Sequence, residues 1–233
     1  MEKLVYVLWK RAAADDDEWV ARVRSDLARR LQDAGAGRLS FNLVDETARS
    51  VQQSRITHLA PPPSGTASFW LDSADDREPL EKALGELTDR LAGYLVVESV
   101  PLRNTSHTAP LGARTPGTNM VALLEKPERL GWDDWIEHWH TTHRVVALET
   151  QCTFLYVRNV VVRALTPGAP PWAGIVEEGF PTEAVTNPML WYKAGGSAEK
   201  LQANIERMIE SCKQFLDLGR VESHPMSEYR IAD

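Results

Sequence analysis

The stretch between Gly131 and His143 concentrates side chains that could do chemistry, since it holds three of the eight tryptophans and three of the six histidines. At about 100° per residue on a helix, the tryptophans share one narrow face. His143 then lies on one flank of that face and His138 on the other, while His140 points further out. An imidazole beside an apolar face can exchange a proton near neutral pH. His143 is therefore the first candidate general acid or base, and His138 is the second.

Each of these residues also has a purely structural interpretation. Trp135 and Trp139 have helical spacing, and tryptophans in that pattern are more often core residues than a platform for a substrate. A histidine next to them can donate a hydrogen bond to a neighbouring backbone carbonyl. The histidines do not predict a metal site. His138 and His143 are five residues apart, off the spacing that puts two ligands on one helical face, and no third ligand completes the set.

A strand-like stretch over residues 153–162 carries further candidates. Alternate side chains of a strand share a face, so Tyr156 and Arg158 lie on one face and Asn159 lies on the other. One face of this strand should point towards the helices and a pocket, and the other should point into the barrel. The sequence leaves open which is which.

Glu177 and Glu178 are neighbours on another strand and point to opposite faces, so one of them faces inward. A buried carboxylate needs a partner, which an arginine or a histidine could supply. A glutamate with a raised pKa near His143 would form an acid/base pair. The alternative is a solvent-exposed glutamate at a strand edge. The candidate substrate-binding residues are thus Trp135, Trp139, Tyr156, Arg158, Asn159 and Glu178.

The predicted elements follow the order strand, helix, strand, strand, helix, strand, and this order occurs twice. A constant offset of 116 residues separates Lys10 from Lys126 and Trp19 from Trp135. The patterns of apolar residues predict these elements. The strands span residues 3–9, 39–45, 67–71, 94–100, 119–124, 153–162, 173–180 and 221–231, and the helices 15–31, 77–91, 132–148 and 198–216.

The repeated order predicts an α+β fold of two tandem ferredoxin-like (βαββαβ) halves, residues 1–100 and 119–233. A linker rich in Pro, Gly, Ser and Thr joins them at 101–118. Each half would have a four-stranded antiparallel sheet with two helices on one face. Two such sheets, back to back and closed into a barrel, would bury both uncovered faces. Residues 47–66 form a loop, with three consecutive prolines, of a length typical of functional or mobile loops.

The composition narrows the class of protein. The net charge is −7 and the sequence pI is about 5.4. No basic patch indicates a nucleic-acid partner, and no apolar run is long enough to span a membrane. Strand-like sequence begins almost at Met1, so we expect no leader peptide. Cys152 and Cys212 have no metal-binding or redox spacing, which predicts a reduced, cytoplasmic protein without a disulfide or a structural metal.

The second half resembles the EthD family of the dimeric α+β barrel superfamily. The resemblance is carried by residues 135–143, which read WIEHWHTTH, by residues 154–159, which read FLYVRN, and by residues 174–180, which read GIVEEGF. Glu228 and Tyr229 are also similar, and together these motifs cover most of residues 119–233. The chain departs from the family at His138, where a tyrosine is usual, and after His143, where a proline-containing turn is usual. The first half matches only in outline.

The resemblance implies an intrachain dimeric α+β barrel, because family members usually pair two chains and this chain would supply both halves. A homodimer of the whole chain is a further arrangement that it allows. Related barrels include isomerases, cyclases, monooxygenases and haem-degrading enzymes, so the fold does not give the reaction. EthD-like proteins often accompany the degradation or synthesis of cyclic or ether compounds.

Three functional hypotheses follow. The first is an enzyme without a cofactor that transfers protons on a small hydrophobic, cyclic or polyketide-like substrate, in an isomerase, cyclase or lyase step. No dinucleotide fingerprint, phosphate-binding loop or nucleophile elbow is present. The second is a non-catalytic protein that binds a hydrophobic ligand or a partner enzyme. The third is a haem or oxygen-using barrel with histidine as the ligand.

Overall fold

One closed barrel of eight antiparallel strands forms the centre of the protein. The computed structural model describes residues 1–233. The order of strands around the barrel is β1-β3-β2-β8-β5-β7-β6-β4. The strands are β1 (Glu2–Lys10), β2 (Gly37–Leu43), β3 (Gly65–Leu71), β4 (Thr88–Leu102), β5 (Thr118–Leu124), β6 (Leu155–Ala164), β7 (Gly174–Phe180) and β8 (Glu222–Arg230).

Short and medium helices cover part of the outer surface of the barrel. They are α1 (Asp16–Arg22), α2 (Ala28–Asp33), α3 (Glu46–Arg49), α4 (Glu78–Gly85), α5 (Trp132–Glu137), α6 (Arg144–Thr150), α7 (Thr182–Val185), α8 (Pro188–Trp191) and α9 (Ala198–Phe215). Two π-helical turns, Val23–Leu27 and His138–His143, join α1 to α2 and α5 to α6 without a break. No helix has both the length and the apolar character required to cross a bilayer.

The prediction of two tandem ferredoxin-like halves is wrong, because all eight strands belong to one sheet. β2 pairs with β8, with Phe41 opposite Tyr229, and β4 pairs with β6, with Val97 opposite Val160. An open four-stranded sheet would leave two edges of unpaired N–H and C=O groups, and these two seams satisfy them. The boundaries 1–100, 101–118 and 119–233 stay a prediction; in the structure, β4 ends at Leu102 and β5 begins at Thr118.

The predicted helix over residues 77–91 is too long. α4 ends at Gly85, and β4 begins at Thr88 and pairs with β1, with Leu91 opposite Leu8. The leucine spacing over 87–91 is helical, but pairing with a neighbouring strand overrides this local preference. The other long helices and the other seven strands lie where the sequence places them, within a few residues at their ends.

Strand alternation divides the apolar side chains into an inner and an outer set. The inner set contains strand residues and Trp172 but no helix residue, and it fills the barrel; it includes Val5, Val7, Tyr94, Val121 and Met226. The outer set packs under the helices in two clusters. The larger lies beneath α1, α2 and α4, and the smaller contains Trp135, Trp139 and Phe215. The cavity described below opens in this smaller outer layer.

A polar network crosses the barrel interior beside the apolar filling. Glu177 accepts hydrogen bonds from Asn42 Nδ2 at 2.9 Å and from Asn159 Nδ2 at 3.0 Å. Asn119 Nδ2 donates to Asn42 Oδ1 at 2.7 Å. Lys3 Nζ lies 3.8 Å from Glu177 and 2.5 Å from a carboxylate oxygen of Glu98. The buried carboxylate of Glu177 is therefore held by two amides and a lysine, as a charge in a barrel interior requires.

Gly174 on β7 allows Trp139 and Trp135 to pack directly against the backbone of this strand. A Cβ atom at this position would lie 2.6 Å from the ring of Trp139, and Trp139 is almost completely buried. The ring of Trp135 packs against Trp139 at a tilt of 49° with a centroid distance of 4.9 Å, so the Trp139 indole cannot move away freely. Close approach of the helix to the sheet depends on the missing side chain.

We expect Gly174→Ala to lower the free energy of unfolding by about 1–3 kcal/mol, because the added methyl group overpacks a rigid indole. Urea denaturation monitored by circular dichroism measures the change. Gly219→Ala is the matched control, since no atom lies within 4 Å of its Cβ position. Equal midpoints for the two variants would contradict this account of the contact.

Candidate functional site

The π-helical turn His138–His143 brings two histidines onto one serine. A π-turn closes hydrogen bonds between residues five apart, which places such residues on the same face. His143 Nδ1 lies 3.1 Å from Ser211 Oγ, and His138 Nε2 lies 3.3 Å from the same oxygen. His138 Nε2 is also 3.1 Å from the Ser211 carbonyl on α9. A regular α-helix would place His138 and His143 on opposite flanks, as the spacing predicted, and the π-turn makes that prediction wrong.

A cavity of about 220 Å³ lies between the π-helical turn His138–His143, α9 and the outer face of β5, β6 and β7. Apolar side chains make most of its wall, and the chemically distinctive residues are His143, Tyr156, Glu178 and Cys212. The remaining lining residues are Ile56, Met120, Ala122, Leu124, Trp139, Gln151, Val176, Trp191, Met208, Phe215, Leu216, Val221 and Ser223. An apolar cavity with a few polar groups is the usual composition of a ligand site.

Glu178 is the group in this cavity that titrates near neutral pH. It lies on the outer face of β7, opposite Met120 on β5 and Tyr156 on β6. Its carboxyl group makes no hydrogen bond and no ion pair, and burial in apolar surroundings raises its pKa to about 7. The side chain is half-buried, because part of its surface faces the cavity. The strand alternation therefore sends Glu177 into the barrel and Glu178 into the cavity.

The other polar groups around Glu178 stay neutral. Trp139 Nε1 donates to Tyr156 Oη at 3.2 Å, so the tyrosine hydroxyl can direct its own proton elsewhere. Burial, and then the nearby Glu178 charge, raises the pKa of Tyr156 above its ordinary value. The same two causes raise the pKa of Cys212 to about 12. Neither the phenol nor the thiol ionises at neutral pH, so both keep a proton that they can donate in a hydrogen bond.

His143 is a neutral imidazole in this setting. Burial, followed by the proximity of His138, lowers the pKa of His143 to about 4. Its ring packs against Phe215, with centroids 4.6 Å apart. The predicted pKa near neutrality does not apply to this residue. Since Ser211 occupies Nδ1, the Nε2 atom is the one without a protein partner.

The structure brings four of the eight predicted site residues together, and these are Trp139, His143, Tyr156 and Glu178. Trp135 is fully buried in the core. Arg158 lies on the helix side of β6, where it donates to Ser99 Oγ and to the His140 carbonyl. Asn159 points into the barrel towards Glu177. His138 stands behind Ser211 and does not line the cavity.

Sequence reasoning missed the residues that α9 and two loops contribute to the cavity. Met208, Cys212 and Phe215 share the buried face of α9, which helical periodicity could have revealed. Ser211 carried no signal in the sequence. Ile56 comes from the 47–66 loop, which the sequence marked only by its length and prolines.

The corresponding place beneath α1 and α2 contains packed apolar residues. Phe69 pairs with Leu4 across β3 and β1, as Glu178 pairs with Met120 across β7 and β5. Phe69 is fully buried and stacks on Tyr6 with a centroid distance of 5.6 Å. Phe69 and Glu178 therefore have equivalent register positions on the two sides of the barrel. On one side the position holds a phenyl ring, and on the other it holds a titratable carboxyl group.

The residues around the cavity do not fit a haem group. The cavity volume of about 220 Å³ is below the ~300–1,000 Å³ of pockets that hold drug-sized ligands. A porphyrin is at least as large as such a ligand, so the cavity is too small for it. No group of three or more His, Cys, Asp or Glu side chains is arranged to hold a metal ion.

Comparison with known proteins establishes the fold. No family model matches the sequence, and no curated protein matches it. Similar solved structures include an anthrone oxidase-like protein, with 9% identity and a TM-score of 0.58 over 100% of this chain and 94% of that one. A candidate monooxygenase from Fusobacterium nucleatum has 8% identity and a TM-score of 0.54 over 98% of this chain and 92% of that one. Another from Lactobacillus acidophilus has 6% identity and a TM-score of 0.50 over 99% and 96%.

The chain has the dimeric α+β barrel fold that these structures share. At such low identities the similarity extends to the fold and not to the reaction. Membership in the EthD family and the tandem fusion are not confirmed by these comparisons.

We expect the stability difference between wild type and Glu178→Gln to depend on pH. The pKa of Glu178 rises from an ordinary 4.5 to about 7 on folding, so its contribution to stability is complete below pH 4.5 and is lost as pH rises to 7. Glutamine cannot ionise, so above pH 7 the variant should be more stable by up to roughly 3 kcal/mol. The opposite pH dependence of His143 is present in both proteins and cancels in the difference.

Urea denaturation of both proteins at pH 5, 6, 7 and 8 measures this difference. Glu210→Gln is the control, because Glu210 is exposed on α9 and makes no ion pair. A difference between wild type and Glu178→Gln that stays constant over this range would show that Glu178 titrates normally.

Proposed function

We propose that the protein is an enzyme that transfers a proton on a small hydrophobic, cyclic or polyketide-like substrate, with Glu178 as the general acid/base. The observation that carries this proposal is an unpaired carboxyl group with a pKa of about 7 in an apolar cavity. A general base works best when its pKa lies near the working pH, and burial tunes glutamates to that range. An unpaired, buried carboxyl group such as that of Glu178 is unfavourable in a hydrophobic core, but it suits a general acid/base.

The proposed step uses side chains of the chain alone. The Glu178 carboxylate removes a proton from a carbon next to a substrate carbonyl, which gives a neutral carboxylic acid and an enolate. Tyr156 donates its hydroxyl proton as a hydrogen bond to the enolate oxygen, since its own oxygen already accepts from Trp139. In a β,γ-unsaturated substrate the enolate extends over the C=C bond, so Glu178 returns the proton to the γ-carbon and the net reaction moves the double bond into conjugation with the carbonyl. Cyclisation or dehydration could begin with the same proton removal.

In this proposal His143 positions the substrate, whereas the sequence suggested that it acts as the general acid or base. Because its pKa is about 4, it is a weak base at neutral pH. A neutral imidazole with a free Nε2 can still accept or donate one hydrogen bond to a substrate. We therefore assign substrate positioning to His143 and proton transfer to Glu178.

The substrate class rests on the size and polarity of the cavity and on the resemblance to EthD-like proteins. About 220 Å³ is below the range for drug-sized ligands, which favours a molecule of one or two small rings. The second candidate function is binding of such a molecule without turnover. The apolar lining of the cavity favours it independently of the pKa of Glu178.

Glu178→Gln should abolish proton transfer, with a rate loss of about 10²–10⁴-fold. A suitable assay follows conversion of 3-cyclohexenone to its conjugated isomer by absorbance, together with deuterium exchange at the α-carbon by NMR. If Glu178 acts as the base, the wild-type rate should rise with pH and level off above about pH 7. Glu210→Gln should retain the wild-type rate. If wild type and Glu178→Gln bind the ketone equally and wild type catalyses no deuterium exchange, the binding function would be favoured instead.

His143→Ala should reduce stability by about 1–3 kcal/mol, since Ser211 Oγ loses a hydrogen-bond partner and Phe215 loses a packed ring. We expect the exchange rate per folded molecule to fall less than in Glu178→Gln. Thermal melts combined with rates corrected for the folded fraction separate the two effects. Complete loss of activity at unchanged stability would instead make His143 the essential base.

A further inference from the structure

A second site lies where β1 and β2 end and β3 and β4 begin, next to the 47–66 loop that also contributes Ile56 to the Glu178 cavity. It is a groove of about 700 Å³, within the ~300–1,000 Å³ range of small-molecule sites. We call it the proline groove, because Pro61, Pro62 and Pro63 form one wall. Its other lining residues are Trp9, Lys10, Ala12, Asp16, Trp19, Val44, Arg49, Gln52, Arg55, Ser64, Asp89 and Arg90. We propose that the proline groove binds a small organic anion that has a flat apolar body and a carboxylate group.

The charge in the groove favours an anion. Four basic and two acidic side chains line it, an excess of two positive charges in a chain whose net charge is −7. Lys10 pairs with Asp16 at 3.1 Å, and Arg49 pairs with Asp17 at 2.6 Å. The Asp89 carboxylate accepts the backbone N–H of Ala12. Asp89 keeps its charge, so with Asp17 included four basic side chains face three acidic ones, and the two remaining basic residues have no carboxylate partner.

Those two residues are Arg55 and Arg90, and neither pairs with a carboxylate of the protein. Arg90 lies over the ring of Trp9, with its guanidinium carbon 4.3 Å from the ring centroid. This cation–π contact leaves the guanidinium N–H groups of Arg90 without a hydrogen-bond partner in the protein. Arginine presents paired N–H donors that match the two oxygens of a carboxylate. The unpaired arginines thus supply the polar recognition in the groove.

The two tryptophans that line the groove offer no hydrogen-bond donor to a ligand. Trp9 Nε1 donates to the Pro61 carbonyl at 3.0 Å, and Trp19 Nε1 donates to the Leu87 carbonyl at 2.8 Å. Both indole N–H groups are therefore occupied, and Trp9 and Trp19 are each only 3% exposed. The apolar surface open to a ligand comes from the proline rings and Val44. A ligand with a flat hydrocarbon body and one anionic end matches this division of the lining.

The wall of the groove is fixed before a ligand arrives. Ile56 and Ser223 exchange backbone hydrogen bonds at 2.8 and 2.9 Å. Glu222 accepts hydrogen bonds from Thr57 Oγ1 and from the His58 N–H, both at 2.6 Å. These contacts tie the loop to β8, and the prolines restrict the backbone further. Preformed walls reduce the entropy that binding would otherwise cost.

Isothermal titration of the full-length protein with 2-naphthoate tests the proposal. We expect wild type to bind, and Arg55→Gln and Arg90→Gln each to weaken binding by about tenfold or more, since each removes a charge-assisted hydrogen bond. Arg90→Lys should retain part of the affinity because it keeps the charge. Arg144→Gln is the matched control, an exposed arginine on α6 without an ion pair. Circular dichroism melts check that each variant is folded.

The neutral isostere 2-naphthamide separates charge recognition from apolar contact, and we expect it to bind more weakly than 2-naphthoate by a similar factor. Glu178→Gln should leave 2-naphthoate binding unchanged, which distinguishes the groove from the cavity. The proposal is overturned if wild type shows no binding at millimolar 2-naphthoate. It is equally overturned if the amide binds as tightly as the acid, or if both arginine variants bind as wild type does.

Discussion

Closure of the barrel at two seams is the constraint on which the rest of the structure depends. Pairing of β2 with β8 and of β4 with β6 leaves no strand with a free edge. In a closed barrel each strand side chain points either inward or outward, with no intermediate choice. This is why adjacent glutamates have unrelated roles: Glu177 braces the interior, while Glu178 enters the outer cavity.

Local sequence patterns predicted the elements well and their assembly less well. Alternation and helical periodicity depend on neighbouring residues, so the strands and long helices were found at nearly the right bounds. The start of β4 was missed, because pairing with β1 competes with a helical leucine pattern there. The single sheet could not be predicted either. The seam that joins Phe41 to Tyr229 links residues far apart in sequence, and no local signal marks it.

The candidate site was predictable in its residue types but not in its geometry. The motif around Trp139 and His143 identified the correct helix, and alternation showed that one of two glutamates must face inward. The π-turn was not visible in the sequence, so the convergence of both histidines on Ser211 was missed. The lowered pKa of His143 arises from burial against α9, whose residues lie far along the chain. Desolvation is a tertiary property, and spacing alone does not report it.

The network around Glu177 has a consequence for how this protein could have evolved. Its members come from six strands, β1, β2, β4, β5, β6 and β7, on both sides of the segment that joins β4 to β5. Neither portion of the chain can satisfy the buried carboxylate without the other. A gene encoding one portion alone would give a product with a charge and several amides facing an apolar interior. Recombination that exchanged one portion alone would therefore have to bring in matching partners for Glu177 on the new strands.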